Sequence, residues 1–474
     1  MPPARAASCF HGGVTELHAR PDRSAVALDA ATPADRDRWV DALRVGSLLV
    51  VMAGHWLVVV LTPDLRISNA LAIAPSLHPL TWVLQVMPLF FLVGGVGHAH
   101  SLESFERRGG TRTGRYAAFF RARAARLLRP TLAFLAVWVA FGVVAHLTGL
   151  TAADRGARGR LVRDALVAVP QLLWFIGMYL GVCAFAPLMR RLHQRWGLWA
   201  FVGLVVAAGI VDLVRFGGGP GLLGNLNFAF VWLAMHQLGF AWRDGLLTMR
   251  AGWLMFPGGY AVMLACVTLG PYPTSMVGLP GDTVSNMAPP TFALLGQGIG
   301  ISGLAVLLRP VMGRVLARPR AWKSVVTAAP FAMTAFLWHL TALMLVLLAL
   351  RTVGVVQPPV ASLAWWLTRP LLFVVLALVT AVFVSVFVRF DRGPRTATVG
   401  VDESRRWPDP LAAVSALVMF FGILMISIVG VDVLGNRPVF FVLGDVTPAV
   451  AFAVLAAGLV LLALARPRML REAG

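Results

Sequence analysis

The sequence predicts an all-α fold, a polytopic transmembrane helix bundle of about 12 spans. Three observations predict it: apolar residues gathered into long blocks, very little charge inside those blocks, and arginines crowded into alternate connections. A helix rising 1.5 Å per residue needs about 20 apolar residues to cross about 30 Å of hydrocarbon. Of the 474 residues, 58% are hydrophobic and 13% charged. A soluble domain carries about 25% charged residues, so this chain has too little polar surface to cover a soluble globule.

The blocks place spans near 43–62, 79–101, 130–150, 168–189, 197–214, 223–242, 251–270, 291–309, 326–350, 361–388, 409–430 and 448–465. Two of the spans are long for a bilayer and are expected to tilt or to extend into the interface. Residues 1–38 are rich in Ala, Arg, Pro and Asp and hold no apolar core. They are expected to form a disordered cytoplasmic tail rather than a cleaved signal peptide. A ten-span membrane domain over 39–390 follows. The polar stretch RFDRGPRTATVGVDESRRWP at 389–408 then separates it from two more spans in 409–474, with 391–408 as a cytoplasmic linker. Asp409 at the very start apart, those last two spans contain no ionisable residue and look like an appendage.

The net charge of +20 is better explained as a topology signal than as a nucleic-acid footprint. With the N-terminus in the cytoplasm and twelve alternating spans, 32 of the 41 basic residues fall on the inner side. That bias predicts a multi-pass protein of the cell membrane with both termini cytoplasmic. One loop dissents: Arg155, Arg158, Arg160 and Arg163 fall outside. The three cysteines, Cys9, Cys183 and Cys266, form neither a metal-ligand spacing nor a disulfide framework, so no metal is expected.

Ionisable groups inside a membrane are costly and default to functional candidates. His55, His146, His236 and His339 lie within spans, and Asp and Glu are nearly absent there, which argues against a proton or cation relay. Arg44 and His55, in DALRVGSLLVVMAGHW, are eleven positions apart. At about 100° per residue they share one helix face, about 16 Å apart along the axis. A ligand with an anionic head and a long arm, such as coenzyme A, matches that spacing. The plainer alternative is a topology anchor and a helix-packing histidine. The basic connection 102–129 carries Arg123 and Arg126 on one helical face, followed by Pro130, which disfavours a smooth helix into the next span. Arginine grips phosphate through paired hydrogen bonds, although any cytoplasmic loop can be Arg-rich. Gly94, Gly95 and Gly97 strip side chains from the second span, for close packing or for a ligand.

These features, in this order, resemble the acyltransferase family three membrane proteins. Asp41, Arg44 and His55 match the opening motif, Phe90 and Phe91 the second, and Arg123, Arg126, Leu127 and Pro130 the third. LLWFIGMYLG at 172–181 and FLWHL at 336–340 look like the later Trp-Phe and Leu-x-His blocks. The similarity covers roughly residues 38–390. Gly94 stands where the family usually has Ser, one extra residue, Arg129, precedes Pro130, and Trp338 is bulkier than is common.

The resemblance implies an enzyme that transfers an acetyl or other short acyl group from acyl-CoA to a hydroxyl of a sugar, glycan, lipid or secondary metabolite. In that reading Arg44, Arg123 and Arg126 bind the phosphates of the donor, and His55 is the general base. The partners expected are acyl-CoA, a hydroxyl-bearing and carbohydrate-containing acceptor and the lipid bilayer, with no nucleic acid. The competing expectations are a transporter or flippase for a glycolipid or metabolite, and a silent scaffold.

Overall fold

The computed structural model describes residues 23–33, 35–107, 114–279, 281–391, 408–442 and 444–465. The chain is helical nearly throughout. A short α1 (Arg23–Ala30) precedes α2 (Arg38–Val58), the hairpin β1 (Val59–Leu61) and β2 (Ile67–Asn69), and the single turns α3 (Ala70–Ile73) and α4 (Thr81–Leu84). Then follow α5 (Met87–Arg107), α6 (Arg115–Leu147), α7 (Gly156–Ala168), α8 (Leu173–Trp196), α9 (Trp199–Phe216), α10 (Asn227–Arg243), α11 (Met249–Leu269) and α12 (Phe292–Leu316). The C-terminal part holds α13 (Pro319–Ala328), α14 (Ala332–Thr352), α15 (Leu363–Phe387), α16 (Pro408–Val429), the hairpin β3 (Val439–Phe441) and β4 (Gly444–Val446), and α17 (Pro448–Leu464).

Each of the twelve apolar blocks is a helix. Ten helices among the described residues are long and apolar enough to cross a membrane. The other two blocks, α10 and α17, form helices of 17 residues each, at the short end of what spans a bilayer. Successive long helices alternate in direction. One end of the bundle, here the basic end, gathers the starts of α2, α6, α14 and α16 and the ends of α5, α8, α10, α12 and α15. Cross-bundle bonds hold it: Arg38 donates to Leu316 O at 3.0 Å, Arg309 to Asp37 at 3.0 Å, and Arg190 pairs with both Glu103 and Asp244. The opposite, far end carries both hairpins, α3, α4 and α7. The peripheral helices turn an apolar face to lipid and a packed face inward, which is why large exposed apolar side chains such as Leu367, Leu371 and Val382 stud the surface, whereas α10 is buried on every side from Val231 to Trp242.

Three expectations change. Part of the N-terminal stretch expected to be disordered is helix α1. It packs on α13, with Ala25 buried, Asp29 paired to Arg38 at 2.6 Å, and the Trp322 indole donating to Thr32 at 2.7 Å. Residues 1–22 lie outside the described residues. Pro130 does not break the chain: α6 runs through it as one 33-residue helix. Proline lacks the N–H that would bond to the carbonyl four residues back, so the Arg126 carbonyl loses its helical partner while the helix continues. The last two spans are also no loose appendage. α16 packs into α8 at Gly177 and Gly181, where an added Cβ would meet Ile423 and Phe420. The linker expected over 391–408 falls almost wholly outside the described residues.

The Asp409 carboxylate of α16 accepts the backbone N–H of Gly114 at 3.0 Å and of Ala117 at 2.9 Å. It thus caps α6, the helix that carries Arg123 and Arg126, from a different element. Replacing a capping carboxylate by alanine costs about 0.5–2 kcal/mol. Asp409→Ala is therefore expected to lower the Tm of the purified protein, with Asp409→Asn intermediate because the amide oxygen still accepts. An unchanged Tm in the alanine variant defeats this account.

Candidate active site

The eleven-residue spacing survives: α2 is unbroken from Arg38 to Val58, so Arg44 and His55 lie on one face. Asp37 starts that helix by accepting the N–H groups of Trp39 and Val40. Arg44 is held by Asp41 at 2.9 Å, one turn nearer the basic end, and Asp41 is shared with Arg36 at 2.6 Å. Arg126 of α6 lies within electrostatic reach of both Arg123 and Arg44. The three arginines singled out by sequence therefore gather at one place. Arg126 has no hydrogen-bond or ion-pair partner among the described residues. Arg123 is anchored on α5, donating to Gly97 O at 3.2 Å and to the Ser101 hydroxyl. Of these three guanidiniums only that of Arg44 is paired with a carboxylate, Asp41, so together they form a positive patch, which repels itself until an anion arrives.

The other half of the site joins residues 284 positions apart. His55 Nδ1 lies 2.8 Å from His339 Nε2, and the rings stack with centroids 5.1 Å apart. His339 Nδ1 bonds to the carbonyl of Phe336, one turn earlier in α14. The Trp56 indole donates to His339 O at 3.3 Å and fastens α2 to α14. A carbonyl only accepts, so His339 Nδ1 carries a proton there. In the neutral pair, His339 Nε2 must then accept from His55 Nδ1–H. That leaves the lone pair on His55 Nε2, which has no partner among the described residues.

Aromatic side chains connect the two halves. Phe336 stands 5.6 Å from His339 and 5.3 Å from Phe175, and Phe175 stands 4.9 Å from Phe90. Tyr179 follows one turn along α8, within electrostatic reach of Arg123 and Arg44. The three glycines of α5 divide their duties. Gly95 crosses Gly239 of α10 backbone to backbone. A Cβ at Gly94 would come 2.8 Å from the Tyr179 ring, so the serine usual in the family would have to push that ring aside. Gly97 has open space where its side chain would be and offers its carbonyl to Arg123.

Two further observations bound the site. The sequence reading passed over His98, which lies inside the glycine-rich stretch already noted. It meets His236 at 2.9 Å and the Cys183 thiol at 3.3 Å, all buried, so His236 packs here rather than beside His55. His146 stands 4.0 Å from Asp432 near the far end, away from the site. A cavity of about 680 Å³ at the basic end, lined by Arg38, Trp39, Trp242 and Arg309 among others, lies on the α10–α12 side of α5. It includes none of Arg44, Arg123 and Arg126. Among the described residues no cluster of His, Cys, Asp and Glu could hold a metal ion.

Comparison with known proteins agrees with the resemblance. The family described as an acyltransferase domain matches residues 37–390, about three quarters of the chain. No curated protein and no solved structure matches it. The matched segment runs from just before α2 to just past α15 and holds both halves of the site, and the chain belongs to the acyltransferase family three membrane proteins.

Proposed function

We propose that this membrane acyltransferase moves an acetyl or other short acyl group from acyl-CoA to a hydroxyl of a carbohydrate-containing acceptor, with His55 as general base. The observation that carries the reading is that Arg44, with Arg123 and Arg126 of α6 gathered beside it, and an imidazole with a free Nε2 lie on one face of α2. Arg44, Arg123 and Arg126 grip the donor phosphates at the basic end. Their planar forks suit phosphate oxygens. The basic end faces the cytoplasm, where acyl-CoA is made, because most of the chain's arginines lie in its connections. Both termini are then cytoplasmic.

The arm of the donor runs past Tyr179, Phe90 and Phe175 and brings the thioester to His55. His55 Nε2 takes the proton of the acceptor hydroxyl as its oxygen attacks the acyl carbon. The C–S bond breaks, and the coenzyme A thiolate leaves and recovers the proton from the imidazolium. Base assistance of this kind contributes about 10²–10⁴-fold. His339, fixed by Phe336 O, holds His55 in the tautomer this needs.

Labelled acetyl-CoA offered to the protein in lipid nanodiscs tests the reading, since label must appear in an acceptor and not merely cross the bilayer. Arg126→Ala is expected to weaken coenzyme A binding by about 10-fold or more, because a hydrogen bond to a charged group contributes about 1.5–3 kcal/mol. Unaltered binding in that variant defeats the phosphate-grip assignment.

A further inference from the structure

The arginines that break the charge rule gather at the far end. Arg66 pairs with Asp64 at 2.8 Å, Arg160 of α7 donates to Asp64 O at 3.0 Å, and Arg351 at the end of α14 donates to Pro63 O at 2.9 Å. All three converge on the turn between β1 and β2, which begins directly after α2 and so sits over His55. The Asp64 carboxylate, which lies 3.8 Å from Arg160 as well as pairing with Arg66, is also bonded by the Thr62 hydroxyl at 2.6 Å.

Beneath this rim lies a fourth guanidinium. Trp365, Arg369, Leu372, Leu376 and Thr380 form the buried stripe of α15, while Leu367 and Leu371 on its other face are 71% exposed. Arg369 is therefore turned into the protein and not towards lipid, with 5% of its surface exposed. Its Nε donates to Trp365 O at 3.2 Å, and its guanidinium lies 4.7 Å from the Trp365 ring. No carboxylate pairs with it, and its two Nη groups have no partner among the described residues. Trp365 packs under Val60, Leu71 and Leu77, with Val277 and Leu279 of the 271–290 loop against them. One turn deeper, Phe373 meets Trp56 at 5.8 Å, the residue after His55. At 1.5 Å per residue, Arg369 stands about 6 Å along α15 from that contact.

A buried cation with two free donors and no counter-charge is costly unless a ligand brings an anion. We propose that the far end is the acceptor entrance and that Arg369 binds an anionic group, a carboxylate or phosphate, on the acceptor. The acceptor is thus an acidic saccharide or acidic glycolipid. Arg66, Arg160 and Arg351 draw it in, since a mouth lined by one sign of charge concentrates the opposite sign. The two Nη groups, left free by the commitment of Nε, meet both oxygens of the anion, and the neighbouring hydroxyl is presented to His55. This deepens the acyl-transfer reading and rests on it.

Equilibrium binding to the protein in nanodiscs, with the same alkyl tail throughout, tests it without turnover. Octyl glucuronide and octyl phosphate are the anionic probes, and octyl glucoside is the neutral control. At least one anionic probe is expected to bind roughly 10-fold or more tightly than the glucoside, the worth of a charge-assisted pair. Arg369→Gln removes that advantage and leaves coenzyme A binding intact, which also certifies its fold. Should Arg369→Gln not fold, Arg369→Lys is read instead and loses the preference in part. Competition by free glucuronate distinguishes a water-borne acceptor from a lipid-borne one. Equal binding of acidic and neutral probes, or a preference that survives Arg369→Gln, overturns the proposal. The probe measurements use no acyl donor and no turnover, so a failure of acyl transfer and a failure of this site are read separately.

Discussion

His55→Ala is expected to abolish acyl transfer, lowering the rate by about 10²–10⁴-fold or more, while the protein still folds, inserts and binds coenzyme A. The size follows from the geometry. Nε2 of His55 is the free lone pair of a fixed chain, Phe336 O to His339 to His55, and no second base lies in hydrogen-bond range of it among the described residues. Alanine removes the base and its orientation together. The fold tolerates this loss. His55 is only partly buried, its ring makes one hydrogen bond, and Trp56 still ties α2 to α14. Leaving His339 Nε2 without a donor costs about 1–3 kcal/mol, which a bundle with this much buried apolar surface absorbs. Donor binding should persist because the arginine patch lies about 16 Å away along the helix. Transfer of labelled acetyl to acceptor, followed in membranes and normalised to inserted protein, measures it. Activity within a few-fold of wild type would remove His55 from the chemistry, and a bare flux of acceptor without label would favour transport.

Much of this was legible in the chain because it depends on local regularities. Twelve apolar blocks gave twelve helices, since only a helix satisfies its own backbone within hydrocarbon. The register of Arg44 and His55 was legible for the same reason: 3.6 residues per turn is a property of one segment. What was not legible depends on distant segments meeting. His339 was seen as a candidate, but nothing at 336–340 says that it faces residue 55. The same holds for His98 in the glycine-rich stretch, because its partners, His236 of α10 and Cys183 of α8, come from distant segments. Pro130 was expected to interrupt a helix that continues, since packing on α8, α14 and α16 holds α6 together where propensity alone would break it. The last two spans read as separate because of the polar linker before them. The glycines of α8 that admit α16, Gly177 and Gly181, lie in a block that had been noted for its Trp and Phe.

The His339 substitutions separate a positioning role from a packing one. His339→Ala takes away the acceptor that His55 Nδ1–H faces, so the His55 ring is free to rotate and to move its proton to Nε2, the atom the reaction needs bare. In a Ser-His-Asp enzyme the wrong imidazole tautomer costs about 10⁴-fold in kcat. Here the stack with His339 is lost as well, but the ring stays tethered to an intact α2, so a fall of roughly 10²-fold or more in kcat is expected, with the KM for acyl-CoA little changed. His339→Gln is the discriminating variant. Its amide oxygen reaches about where Nε2 stood and can accept from His55 Nδ1–H, although it has no rigid tie to Phe336 O. It should therefore recover part of the lost kcat. A residue that merely fills space between α2 and α14 gives the opposite ranking of readouts: stability falls in both variants, and kcat follows the amount of folded protein. Equal kcat per folded molecule in wild type, His339→Ala and His339→Gln rules out tautomer control and leaves His55 acting without a partner.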